Sequence, residues 1–151
     1  MISLALAVEL KQAGLVWRTS THDFFAIPDH DMDDRVFVLA DMVAFTELVQ
    51  GWPAVAFHGA AEWALDYVFS NEIVWLPTEE QLREALMDTI IKASKVMPPE
   101  GSLGLTSTPG GYQCAIAIDS QHLLFKGPTA PEAYAAALLY VLRQRNRANG
   151  V

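Results

Sequence analysis

Residues Phe57–Leu86 read FHGAAEWALDYVFSNEIVWLPTEEQLREAL, and their punctuation decides the fold class. Gly59 releases a preceding strand. Ala60 to Phe69 carries Ala, Trp, Leu, Tyr, Val and Phe, with Glu62 and Asp66 as its charges. Those two are four apart and share one face of a helix, and so thin a polar stripe predicts a mostly buried helix. Ser70 and Asn71 end it. Ile73 to Leu76 is a short apolar run of strand formers, which Pro77 stops. Thr78 then caps a helix, with Gln81 three residues on to complete a capping box. Glu79 and Glu80 occupy the first turn, where the helix dipole favours negative charge. The stretch thus predicts helix, short strand, helix.

Working outward toward the N-terminus, Pro53 to Phe57 reads as a strand. Asp41 can cap a short helix through about Val49, ended by Gly51. Residues 2–13 fit a helix, with Leu4, Leu6, Ala7, Leu10 and Ala13 on one apolar side and Gly14 as its stop. Between them Leu15–Arg18, Asp23–Ile27 and Arg35–Ala40 read as three strands of an antiparallel meander. Thr19–His22 links the first two, and the acidic loop Asp29–Asp34 links the last two.

Toward the C-terminus, the helix from Glu79 runs to about Val96, before Pro98 and Pro99. The segment Pro98–Ser102 is the expected boundary or hinge. Leu103–Thr106, Tyr112–Ile118 and His122–Phe125 read as three strands. In Tyr112–Ile118 the odd and even positions separate onto two faces, and Asp119-Ser120 makes a tight turn. Thr129 caps a final helix through about Arg147, with Glu132 completing a second capping box and Pro131 acceptable that early.

Composition bounds the function. At 151 residues, 52% hydrophobic and 19% charged, the chain has the material for one domain or two small lobes and is not of disordered type. No apolar run approaches the roughly 18 residues of a membrane span. The N-terminus lacks a basic region before its apolar residues and reads as an amphipathic helix, not a signal peptide. A single cysteine, Cys114, excludes an internal disulfide framework and fits a reducing cytoplasm. Its alternating neighbours place it as a buried structural thiol. The formal charge of −8 is uneven: residues 1–90 hold 15 acidic and 4 basic side chains, whereas residues 91–151 hold 3 and 6. An acidic chain repels phosphate backbones, which disfavours nucleic acid. The asymmetry also allows two copies to meet acidic half to basic tail.

Two polar groups invite chemistry. His22, Asp23, His30, Asp31, Asp33 and Asp34, with Asp29, offer the carboxylates and imidazoles that divalent metals accept. The competing reading is a solvated turn, since Asp favours turns and the spacing lacks the glycine and glutamate of an EF-hand. His58, Glu62 and Asp66 follow a four-residue spacing that suits acid–base work, or the solvent stripe of a buried helix. There is no HExxH, GxSxG, phosphate-binding glycine loop or CxxC. Ser102, Ser107 and Ser120 read as turn residues. The aromatics Trp17, Phe24, Phe25, Trp52, Trp63, Tyr67 and Trp75 read as core, with room for an exposed tryptophan at an interface. Helix, three strands, helix is also the order of double-stranded-RNA-binding domains. Those place lysines at the start of the last helix, where this chain reads GPTAPEAY.

The segments HDFFAIPD, DDRVFVLADM, GWPAVAFHGAAEWALDYV and VWLPTEEQLREAL resemble a family of small uncharacterised bacterial proteins. The resemblance covers about Leu4 to Leu86 and extends into GYQCAIAI and the final helix. Some proteins of this kind are described as pilus-assembly proteins, but the chain has no nucleotide-binding motif of the sort a pilus-localisation ATPase needs. The strand pair and alanine-rich helix of the tail are similar to small phage-type α/β domains. The resemblance transfers no catalytic residues.

The expected fold is α+β, with two antiparallel three-stranded meanders, flanking helices, and an α-β-β-β-α order in the C-terminal half. The expected lobes are 1–97 and 98–151, or one shared core with helix 78–96 packing on the second. The expected function is a non-catalytic cytoplasmic protein-interaction or scaffold module. It self-associates as a homodimer or binds another protein, with no cofactor, no nucleic acid and no membrane insertion. The alternatives are a small metal-dependent or acid–base enzyme using the His/Asp cluster, and a binder of a small apolar ligand. No residue is assigned as catalytic.

Overall fold

The structure, a computed structural model, describes residues 1–29, 31, 35–40, 44–57 and 67–150, with the backbone alone for 44, 45, 57, 67 and 68. The protein is α+β. Its elements follow as α1 (Leu4–Gln12), β1 (Phe24–Ala26), β2 (Phe37–Val38), β3 (Ala44–Val49), β4 (Trp52–Phe57), β5 (Tyr67–Phe69), β6 (Val74–Leu76), α2 (Glu79–Ala93), β7 (Gly101–Thr108), β8 (Gly111–Ile118), β9 (Gln121–Gly127) and α3 (Ala130–Ala148). A 3₁₀ turn, Ser70–Glu72, joins β5 to β6. Among the described residues the strands form antiparallel sheets in the orders β2-β1-β6, β3-β4-β5 and β7-β8-β9.

The chain divides into two compact units, Met1–Leu15 with Pro77–Val151, and Val16–Leu76. The division falls at Leu76/Pro77. The reason is that α2 packs on α3, β7 and β8, so its buried stripe completes the C-terminal core.

In the unit Met1–Leu15 with Pro77–Val151, the C-terminal part has the expected α-β-β-β-α order. The capping box of α2 is fully formed: the Gln81 N–H donates to Thr78 Oγ1 at 3.3 Å, and the Thr78 N–H donates to Gln81 Oε1 at 2.9 Å. Leu82, Leu86, Thr89 and Ile90 make the buried stripe. The Thr89 hydroxyl donates to the Ala85 carbonyl at 2.7 Å, so its burial leaves no open donor. The helix ends at Ala93, before the expected Val96, because Ser94 turns to an extended conformation. Its hydroxyl donates to Asp119 Oδ1 and accepts from the Glu100 N–H. Asp119, at the β8–β9 turn with φ +52°, also accepts from the Lys95 N–H at 3.0 Å. The hairpin thereby ties down the link that leaves α2.

Helix α3 lies against β8 and β9, with α1 and α2 also packed on it. Its buried residues Ala133, Tyr134, Ala135, Ala137, Leu138, Leu139, Val141 and Leu142 cover a wide arc, as contact with three neighbours requires. Thr129 caps it by accepting from the Glu132 N–H at 3.3 Å. The reciprocal half of the expected capping box is replaced by a bond from the Thr129 hydroxyl to the Glu132 carboxylate. Helix α1 is held to α3 by Arg143 on Glu9 at 2.7 Å and by Asn146 Nδ2 donating to the Ala13 carbonyl at 3.0 Å. The second bond satisfies a carbonyl left open at a helix end.

The unit Val16–Leu76 departs further from expectation. Leu15–Arg18 is not a strand. Both sides of β1 are occupied, by β2 and by β6, so the third strand comes from the IVWL run 50 residues later in the chain. The segment 44–49, expected as the end of a short helix, is β3; Asp41, its expected cap, lies outside the described residues. Gly51 does not stop a helix. Gln50 and Gly51 have φ +52° and +82°, the left-handed pair that a two-residue hairpin turn needs, and β3 folds back on β4 with Val49 opposite Trp52. Of the helix expected over 60–69, residues 60–66 lie outside the described residues and Tyr67–Phe69 is β5, paired with β4. Phe25, Ile27, Phe37, Leu39, Val55 and Ile73 form the core of this unit, with Trp17 packed against it.

Candidate interaction surface

The expected polar site His58, Glu62 and Asp66 lies outside the described residues, as do His30, Asp33 and Asp34 of the acidic loop. Of the remaining metal candidates, Asp23 is only 3% exposed. Its carboxylate accepts from Trp17 Nε1 and from the Ser20 N–H, both at 2.8 Å. Its backbone carbonyl accepts from the Leu39 N–H at 2.8 Å. Asp23 therefore closes the 20–23 turn and turns the Trp17 indole onto Phe25, ring centroids 5.8 Å apart. This duty is structural. His22 and Asp31 are exposed residues at φ +73° and +56°. Among the described residues no three or more His, Cys, Asp or Glu side chains cluster closely enough to hold a metal ion.

Ser102 and Ser107 lie within β7 and not in turns. Cys114 is buried on β8, where burial pushes its thiol up to about 11. No helix among the described residues is long and apolar enough to cross a membrane. Of the tryptophans, Trp17 and Trp75 are half-buried, and Trp52 is 68% exposed beside the β3–β4 turn with Leu48, 71% exposed, on the facing strand.

The C-terminal sheet carries the most developed surface. Helices α2 and α3 cover one face. Alternation sends Leu103, Leu105, Cys114, Ile116, Leu123 and Phe125 toward them and the intervening residues outward. The register aligns Ser102 with Ala117 and His122, Gly104 with Ala115 and Leu124, and Thr106 with Gln113 and Lys126. This outward face is nearly uncharged, with Leu124 at 56% exposure as its one large apolar residue.

The two edges of this sheet differ. On β9, Lys126 supplies the charge that guards an edge from further pairing. On β7, eight residues run GSLGLTST without a charge or a proline. They pair with β8 without a break from Gly101–Ile118 to Thr108–Gly111, so no bulge protects them. Beside this edge lies a groove of about 520 Å³. Arg83, Glu84, Met87 and Asp88 of α2 form one side, Leu103, Gly104 and Leu105 of β7 the other, and Tyr134 of α3 contributes from behind. Burial, the largest cause, raises the Tyr134 phenol above its ordinary value. Sequence reasoning passed over this edge. The available signal was the absence of charge from Gly101 to Thr108 beside the lysine of the companion strand.

Comparison with known proteins supplies no relative: no family model matches the chain, and no curated protein or solved structure matches it.

Proposed function

We propose that this protein is a non-catalytic interaction module that works by associating with a second copy of itself. The observation that supports this reading is the unguarded β7 edge. An eight-residue strand with neither charge, proline nor bulge lacks three devices that commonly blunt natural edges and is a template for another strand. The uneven charge of the chain, acidic before residue 90 and basic after it, allows two copies to meet acidic half to basic half although each carries a net charge of −8. The test is the mass in solution. Sedimentation equilibrium over a wide dilution series is expected to show a dimer of the 16.6 kDa chain that dissociates on dilution. A single 16.6 kDa species at every concentration refutes the reading.

A further inference from the structure

We infer that the dimer has its two-fold axis through Gly104, with the two β7 edges paired antiparallel and the two α2 helices facing each other across the groove. This rests on the self-association reading above and adds its geometry. A two-fold normal to the sheet keeps each face continuous across the junction. Directly opposite residues of an antiparallel pair share a face, so the register must place like parity opposite like. An axis at Gly104 sets Gly104 against Gly104, Leu103 against Leu105 of the second copy, and Ser102 against Thr106. On the covered side leucine meets leucine, and on the outward side hydroxyl meets hydroxyl. No like charges oppose each other along β7, and the axis itself is occupied by the residue with no side chain. A Cβ built on Gly104 meets no atom within 4 Å, so no steric contact among the described residues requires a glycine there.

Charge on α2 fits the same axis. The groove puts the 83–88 face of α2 beside Leu103, Gly104 and Leu105. Rotation about Gly104 makes the two helices antiparallel, which brings Arg83 opposite Asp88 of the second copy, twice, and Glu84 opposite Met87. Arg83 and Asp88 are about half exposed or more and pair within their own helix only along the surface, with Glu80 and Lys92. Such exposed pairs are weak and exchange readily. The partner this groove fits is therefore another copy of the same strand and helix, and the product is one six-stranded sheet.

Three variants of the full chain test the geometry. Gly104→Cys places two thiols at the axis, where opposite Cα atoms about 4.5–5.5 Å apart lie within disulfide reach. Mild oxidation is expected to give a covalent dimer, and Lys126→Cys on the other edge is expected to give none. Gly104→Glu sets two carboxylates face to face and is expected to raise the dimer Kd more than about tenfold. Its helical circular dichroism should be unchanged, since the side chain has open space in the protomer. Arg83→Asp and Asp88→Arg are each expected to weaken the dimer, and the double exchange to restore it. A dimer that Gly104→Glu leaves intact, or a Gly104→Cys protein that does not cross-link, overturns this geometry while self-association stands. A wild-type chain that is monomeric at all concentrations overturns both.

Discussion

Gly127 offers the sharpest test of the packing that positions the C-terminal sheet. A Cβ built there falls 2.4 Å from the Ala133 nitrogen, 2.8 Å from the Glu132 carbonyl carbon and 2.9 Å from the Ala133 Cα. Ordinary contact needs about 3.5–4.0 Å, and every one of these atoms is backbone of the first turn of α3. Gly127→Ala must therefore push β9 and α3 apart by about 1 Å, at the overpacking cost of about 1–3 kcal/mol. The same displacement strains the Ala133 N–H bond to the Thr129 carbonyl and the Thr129 cap on Glu132, a cap being worth about 1 kcal/mol. Reduced freedom of the unfolded chain returns about 0.4–1 kcal/mol. The net expectation is a loss of about 1–4 kcal/mol. Gly104→Ala, on the same sheet, meets nothing within 4 Å and keeps only the unfolded-state gain of about 0.4–1 kcal/mol.

Urea unfolding measures both. Among the described residues the three α-helices belong to the unit Met1–Leu15 with Pro77–Val151, and all four tryptophans lie in residues 16–76. Far-ultraviolet circular dichroism thus follows the first unit and tryptophan fluorescence the second. With a slope of about 1–3 kcal/mol per molar, Gly127→Ala should lower the circular-dichroism midpoint by about 1 M, and Gly104→Ala should raise it slightly, both measured under dilute conditions. Equal shifts in the two variants, or a Gly127→Ala midpoint within error of wild type, would refute the close approach of β9 and α3.

Three other substitutions and conditions follow from single contacts. Thr78→Ala removes the hydroxyl half of the capping box and should cost about 1 kcal/mol in the circular-dichroism transition, with Thr78→Ser restoring most of it. Asp119 has its carboxyl held below the ordinary range, chiefly by the Ser94 hydroxyl and then by the Lys95 N–H. A depressed folded value makes the unfolded state the stronger proton binder as pH falls, so this contribution is fully present at neutral pH and is lost as pH drops through the folded value. Thermal melts of Asp119→Asn should therefore lie below wild type at neutral pH and converge with it in acid; a constant gap counts against the carboxylate. Cys114, buried with its thiol raised to about 11, should react with a thiol reagent at pH 8 only at the rate of opening of the protein, and at once in denaturant; immediate labelling of the native chain would contradict its burial.

Sequence determined the parts of this protein whose causes are local. The Thr78–Gln81 box, the Pro77 stop, the alternation of Tyr112–Ile118 and the capped alanine-rich final helix each depend on neighbours within a few residues. The α-β-β-β-α order follows from them. Elsewhere local signals were ambiguous: 44–49 is short and apolar enough for helix or strand, and the left-handed Gln50-Gly51 turn settled it as a hairpin. Long-range pairing decided the rest. The seat beside β1 went to Val74–Leu76, with Val74 and Leu76 buried and the adjoining Ile73 in the core around Phe25, so Leu15–Arg18 was left outside the sheet. Asp23, legible as a metal candidate by residue type, became a buried acceptor for Trp17 and Ser20, a pairing across six residues that no spacing rule announces. The β7 edge became a candidate surface for the same reason. The uncharged run from Gly101 to Thr108 marks an unguarded edge only once the sheet order is known, and only the packing of α2 beside it made the groove.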